Sequence, residues 1–191
     1  MKILKLILGL LLLLALIFFG RGLLTPNISY ESEIVVDKPV EEAWAVMNDE
    51  SKIKEWLSGI TKIEHVSGEK GKVGQVTKYT FDENGQESEV VETLKTIVPN
   101  KKIEMDFVVE GAMKMDYAVN FSEKDGKTHI KSNTINTGEG LFMKSILSFM
   151  QSGMQAQEDE NMAKLKKLIN ENTTNYFPDP VLEPTLEMGE Q

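Results

Sequence analysis

The sequence predicts an α+β protein: an antiparallel sheet covered by a long C-terminal helix, with a membrane-spanning helix ahead of both. Three observations carry this. From Ile28 to Thr137, apolar and polar residues alternate in runs divided by turn residues, the pattern of strands that bury one face. From Leu141 to about Asn170 the period becomes helical. From Leu6 to Phe19 the chain is apolar without interruption except at Gly9.

The first element is the apolar one. Counted from Ile3 to Leu24, it reaches the roughly 20 residues that a bilayer span requires. Lys5 and Arg21 bound it, and both side chains are long enough to snorkel toward headgroups. It has no polar face, which argues against a soluble helix. A cleaved signal peptide is the competing reading. Its small-x-small cleavage site is poorly matched by Phe18-Phe19-Gly20-Arg21-Gly22, which favours an uncleaved anchor. Lys2, Lys5 and the terminal amine precede the span and Arg21 alone follows it. The positive-inside rule then puts the N-terminus in the cytoplasm and the domain on the outer or periplasmic side. Pro26 ends the helix. Residues 1–24 are thus read as anchor, 25–29 as linker, 30–170 as the folded domain and 171–191 as an extended or disordered tail, which holds Pro178, Pro180, Pro184 and several acids.

Within the domain, Tyr30, Ser32, Ile34 and Val36 share one side of a strand that Asp37-Lys38-Pro39 ends. A short helix from Val40 to Met47 follows, and Asn48-Asp49 breaks it. A second short helix spans about Ser51 to Leu57. Strands are then predicted from Ile60 to Val66, Gln75 to Phe81 and Glu87 to Val98, with a hairpin signal at Asn84-Gly85. Ile103, Met105, Phe107 and Val109 mark the next strand. Met113, Met115, Tyr117, Val119 and Phe121 mark the one after it, and Thr128 to Thr137 the last.

This order resembles the SRPBCC superfamily of polyketide cyclases and START-related lipid-transfer proteins. The resemblance lies in Ile34-Val35-Val36-Asp37-Lys38-Pro39-Val40-Glu41-Glu42-Ala43-Trp44, in Asn48-Asp49 and Trp56 downstream, and in the glycine loop Gly68 to Gly74. It covers about residues 28–170. It implies a helix-grip fold, a curved sheet wrapped around the long helix with a cavity between them. A hydrophobic segment ahead of such a domain resembles a membrane-associated subgroup. The implied function is membrane-anchored binding or transport of a hydrophobic, lipid-like ligand. A cyclase- or dehydratase-like enzyme and a closed-core protein-interaction module are the alternatives.

The residues supply independent candidates for a site. On a helical wheel, Phe142, Met143, Ile146, Leu147, Met150, Gly153, Met154, Leu165 and Leu168 form one face, and Gln157 and Asn161 interrupt it. An unpartnered buried amide costs about 2–7 kcal/mol by transfer estimates, so these two fit a polar cavity end better than a packed core. The other reading is that the helix passes the sheet edge there. The last strand, with Thr134, has no clean apolar face, which fits either a partly polar cavity or an edge strand wet on both sides. Met47, Met105, Met113, Met115, Met143, Met150 and Met154 all fall at inward positions, where flexible thioethers adapt to variable contents or simply fill core. Tyr79, Tyr117 and Thr134 offer polar groups. The ligand-binding candidates are therefore Gln157, Asn161, Met105, Met113, Met115, Tyr117, Thr134, Met150 and Met154.

Several classes are disfavoured. The chain has no cysteine, which removes disulfides, thiol nucleophiles and thiolate metal sites. Its net charge is −9 and Lys2, Lys5 and Arg21 all lie in the anchor, so the remainder is more acidic still and unsuited to nucleic acid. No metalloprotease, nucleophile-elbow or nucleotide-binding motif is present, and no cofactor or metal is expected. His65 and His129 have no catalytic partner in pattern. Glu92 falls on the apolar face of its strand beside Val90, Leu94 and Val98. It reads either as a buried general-base candidate or as a bulged, exposed residue.

Overall fold

A computed structural model describes residues 2–83 and 85–178. The elements run α1 (Lys2–Leu24), β1 (Asn27–Val36), α2 (Val40–Met47), a 3-10 turn (Glu50–Lys52), α3 (Ile53–Trp56), β2 (Ile60–Ser67), β3 (Val76–Glu83), β4 (Gln86–Val98), β5 (Lys102–Val109), β6 (Met113–Lys124), β7 (Lys127–Gly138) and α4 (Gly140–Asn170). All seven strands form one antiparallel sheet in the order β1-β7-β6-β5-β4-β3-β2. From β2 onward each strand pairs with the next, β2 and β3 through the loop of residues 68–75 and the later strands through short turns. β1 closes on the last strand instead, and α2 and α3 carry the chain from one sheet edge to the other. This is the helix-grip architecture.

The core lies where α4 crosses the sheet near its C-terminal end. Met162, Leu165 and Ile169 follow one another at helical spacing, and all are fully buried. They pack with Val36 of β1, Ala43 and Val46 of α2, and Val119, Phe121 and Ile130 of the sheet. Each such side chain contributes about 1.5–3 kcal/mol by leaving water. Trp44 meets Phe121 edge-on at 5.2 Å. Local chemistry fixes the turns. The Asp49 carboxylate accepts from the Ser51 amide at 3.0 Å and caps the 3-10 turn. Gly140, at φ +71°, turns the chain from β7 into α4 in a conformation that other residues adopt with strain.

Several elements differ from the sequence expectation. The second short helix splits into the 3-10 turn and α3. The first strand begins at Asn27, so only Thr25 and Pro26 link it to α1. β3 and β4 pair as far as Glu83 and Gln86, which forms the expected hairpin, although Asn84 lies outside the described residues. β7 is not an edge strand: it sits between β1 and β6, and Thr128, Ile130, Ser132, Thr134 and Asn136 are all buried. Short polar side chains are tolerated there because several find partners. The Thr128 hydroxyl donates to the Lys38 carbonyl at 2.7 Å, and Asn136 Nδ2 donates to the Tyr30 hydroxyl at 3.2 Å.

The first residues of the expected tail are irregular and dock on the domain. Asn172 is buried and donates to Glu42 Oε1 at 2.9 Å, and the Tyr176 hydroxyl donates to Asp49 Oδ2 at 2.7 Å. Residues 171–178 therefore clamp onto α2 and the following turn. The remainder of the expected tail, with Pro180 and Pro184, lies outside the described residues.

α1 is exposed along nearly its whole length, and its last turns dock on the N-terminal half of α4. Phe18 stacks on Phe149 at 6.0 Å, and the Arg21 guanidinium lies 4.7 Å from the same ring centroid. Arg21 also donates to the Ser148 carbonyl at 3.0 Å. A Cβ at Gly22 would collide with Ser145 Oγ and stand 2.7 Å from the Ser145 backbone nitrogen, so only glycine permits this approach. Ser145 and Ser148 are consequently buried, whereas Phe142 and Met150 of the expected apolar face are exposed. Small side chains at the crossing let the two helix backbones come close.

Candidate functional site

Between the sheet, α3 and the middle of α4 lies a cavity of about 1070 Å³ with mainly apolar walls. Alternation along β5 and β6 sends Met105 and Phe107, and Met113, Met115 and Tyr117, to the same side of the sheet, beneath α4. From α4 come Phe149, Met150, Gly153, Met154, Gln157 and Asn161. Eight of the nine candidates from sequence therefore line one space. Thr134 does not: it is buried in β7, and its hydroxyl has no partner among the described residues. Met47 also lines the cavity, but Met143 does not.

The two amides expected at a polar break partner each other. Gln157 Nε2 donates to Asn161 Oδ1 at 3.2 Å. Gln157 is exposed and Asn161 half-buried, and both border the cavity that this stretch of α4 spans.

Glu158 was not anticipated. It lines the cavity from α4, and two hydroxyls converge on its Oε1: Tyr117 donates at 2.9 Å and Ser132 at 2.5 Å. Burial, then the neighbouring Glu158 charge and hydrogen bond, hold the Tyr117 hydroxyl well above its ordinary pKa. The residue was visible in principle, since it stands four after Met154 and four before Met162, both inward-facing.

A second carboxylate enters from β4. Glu92 is buried, 8% exposed, which overturns the reading of it as bulged and solvent-facing; the bulge lies after Leu94 instead. The Tyr79 hydroxyl donates to Glu92 Oε2 at 3.0 Å. Burial raises the pKa of Glu92, opposed by that hydrogen bond and reinforced by Glu50. Burial, with the Glu92 charge behind it, likewise pushes Tyr79 far up.

Both tryptophans, Trp44 and Trp56, line the cavity, and Trp56 Nε1 has no partner among the described residues. Neither histidine takes part. His129 lies 3.1 Å from Glu33 Oε1 at the β1–β7 edge, and His65 is exposed on β2. Among the described residues, no three histidine or carboxylate side chains converge as metal ligands would. The arrangement holds an apolar body and offers hydroxyl and carboxyl groups at separate points on its wall.

The family described as polyketide cyclase/dehydrase and lipid transport matches residues 27–170. No curated protein matches the chain. Among solved structures, Ara h 8.0201 superposes with a TM-score of 0.55 at 18% identity, over 73% of this chain and 98% of that one. The Zhui aromatase/cyclase from Streptomyces sp. R1128 gives 0.58 at 13% identity, over 75% of this chain and 92% of that one. The di-domain aromatase/cyclase StfQ of the steffimycin pathway gives 0.63 at 12% identity, over 77% of this chain and 52% of that one. At these identities the likeness is one of fold.

Proposed function

Because the chain belongs to the polyketide cyclase/dehydrase and lipid transport family, we propose that it is a membrane-anchored carrier of a hydrophobic, lipid-like ligand held between sheet and α4. The single observation that carries this reading is the cavity. At about 1070 Å³ it lies just above the roughly 300–1,000 Å³ range of small-molecule sites, and its walls are mainly apolar. Met105, Met113, Met115, Tyr117, Met150, Met154, Gln157 and Asn161 are the proposed contacts. Residues 1–24 are the proposed anchor, since α1 is long and apolar enough to span a bilayer. It docks on Phe149, itself a cavity-lining residue, which supports a wall that would stand beside the membrane. The N-terminus is proposed to be cytoplasmic and the domain external.

Native mass spectrometry of the full chain, released from lipid nanodiscs, tests the carrier. The expected result is a bound mass that leaves on denaturation. A bare protein that also refuses neutral, cationic and anionic amphiphiles would overturn the reading in favour of a closed interaction module. Topology is tested separately. The chain has no native cysteine, so Lys124→Cys on the β6–β7 hairpin is expected to react with a membrane-impermeant maleimide in intact spheroplasts. Labelling only after lysis would reverse the orientation.

The Tyr79–Glu92 pair supports a second reading, a cyclase- or dehydratase-like enzyme, because a buried carboxyl with a raised pKa suits proton transfer. Turnover of a polyketide-like substrate, lost in Glu92→Gln, separates it from passive carriage.

A further inference from the structure

The charged groups of the cavity wall are all of one sign. Glu50, Glu92 and Glu158 line it, and among the described residues no lysine, arginine or histidine does. Glu50 is neutralised at the rim by Lys70, whose Nζ lies 3.2 Å from Glu50 Oε2. The other two carboxylates are served only by hydroxyls: Tyr79 on Glu92, Tyr117 and Ser132 on Glu158. Both hydroxyls that reach Glu158 donate to Oε1. Among the described residues, no hydrogen bond reaches its Oε2 or Glu92 Oε1.

We infer that the cavity selects its occupant by charge, taking an apolar molecule whose head is an amine or a hydroxyl and rejecting a fatty acid or a phosphate-bearing lipid. This deepens the carrier reading and rests on it. An anionic head entering this space would lose its hydration and face two carboxylates with no cation to offset them. A protonated amine meets the reverse situation. It finds acceptors on Glu92 and Glu158, and the aromatic side chains of Trp44, Trp56 and Tyr117 line the same space, where a ring face attracts a cation further. A hydroxyl head donates to the same oxygens and carries no charge to be repelled. The methionine-lined wall of β5 and β6 accommodates the apolar remainder.

The chain's only two tryptophans line the cavity, so intrinsic fluorescence reports binding there directly. The experiment titrates the full chain, in phosphatidylcholine nanodiscs near neutral pH, with decylamine, decan-1-ol and decanoate. Decylamine is expected to bind about tenfold or more tightly than decanoate, with decan-1-ol between them. The isosteric double variant Glu92→Gln/Glu158→Gln is expected to reduce that ratio to within about threefold. Glu158→Gln alone, which keeps acceptors for Tyr117 and Ser132, serves if the double variant loses its circular-dichroism signature. Equal binding of all three probes, or tighter binding of decanoate, would overturn the selectivity and leave the carrier reading standing. An amine preference that survives in the variants would also overturn it, by assigning the preference to the acidic outer surface. Silence from all three probes would overturn both readings.

Discussion

Along α4, Met162, Leu165 and Ile169 are at most 1% exposed, whereas Met150 is 48% exposed and Gly153, Met154 and Gln157 overlie the cavity. One helix thus meets one sheet in two ways. At its C-terminal end it is pressed between α2, β1 and the central strands. At its middle it bridges open space above β5 and β6. The difference teaches that the fold is held by apolar packing at one end and by polar contacts around open space at the other, where Gln151 and Gln155 donate to the Ser29 and Glu31 carbonyls. Packing at the closed end lets the open end carry methionines, a glycine and two carboxylates without supporting the sheet.

The largest expected effect breaks the closed end. Leu165→Ala should cost about 2–5 kcal/mol in urea unfolding, as truncation of a fully buried leucine does. Met154→Ala, facing the cavity, should cost less than about 1 kcal/mol. Similar losses in the two variants would erase the distinction between the ends. Next comes the clamp that reinforces the closed end. Asn172→Ala removes a buried amide from the Glu42 carboxylate and should cost about 1.5 kcal/mol by the same measurement. No change would make residues 171–178 a passive appendage.

Glu92 sharpens the comparison through pH. Burial keeps it protonated further up the scale than in the unfolded chain, whose reference value is 4.5. Between that value and the raised one the folded state binds more protons, so stability falls as pH rises through this window and is unaffected below it. Glu92→Gln abolishes the effect. The unfolding free energies of variant and wild type should diverge above pH 4.5 in the variant's favour, by at most about 1.4 kcal/mol for each pH step of one across that window. Parallel curves would mean that Glu92 is solvated. The smallest effect belongs to neither end. Lys131→Ala breaks an exposed ion pair to Glu31 at 2.6 Å and should change stability by less than about 0.5 kcal/mol.

Strand alternation and helical period made most of the architecture legible, because both follow directly from which side chains must avoid water. Val40–Met47 and the clean alternation of β5 and β6 are examples, and they brought the methionine wall with them. β7 was opaque for a physical reason. Its buried side is Thr128, Ser132, Thr134 and Asn136 around a single Ile130, so burial there is decided by partners on other elements and not by hydropathy. Ser145 and Ser148 were opaque likewise: they are buried because Gly22 lets α1 close over them, a contact between segments more than a hundred residues apart. Glu158 sat in register with two inward methionines. Its charge suggested solvent, yet the hydroxyls of Tyr117 and Ser132 receive it. The place of Gln157 and Asn161 beside the cavity was legible because a break in an apolar stripe is visible within one helix. Their bond to each other was not, since it depends on the space beside them.

The two-residue connection between α1 and β1 sets a radius of action. Thr25 still donates to the Arg21 carbonyl, so the chain is helical almost to the point where the sheet begins. From Leu24 to Asn27 a fully extended chain reaches only about 10 Å. With α1 in a bilayer, the domain has no leash on which to lift away and visit a facing membrane. A ligand carried by a domain so tethered would exchange only with the surface beside it, and onward transfer would fall to a partner that comes to it.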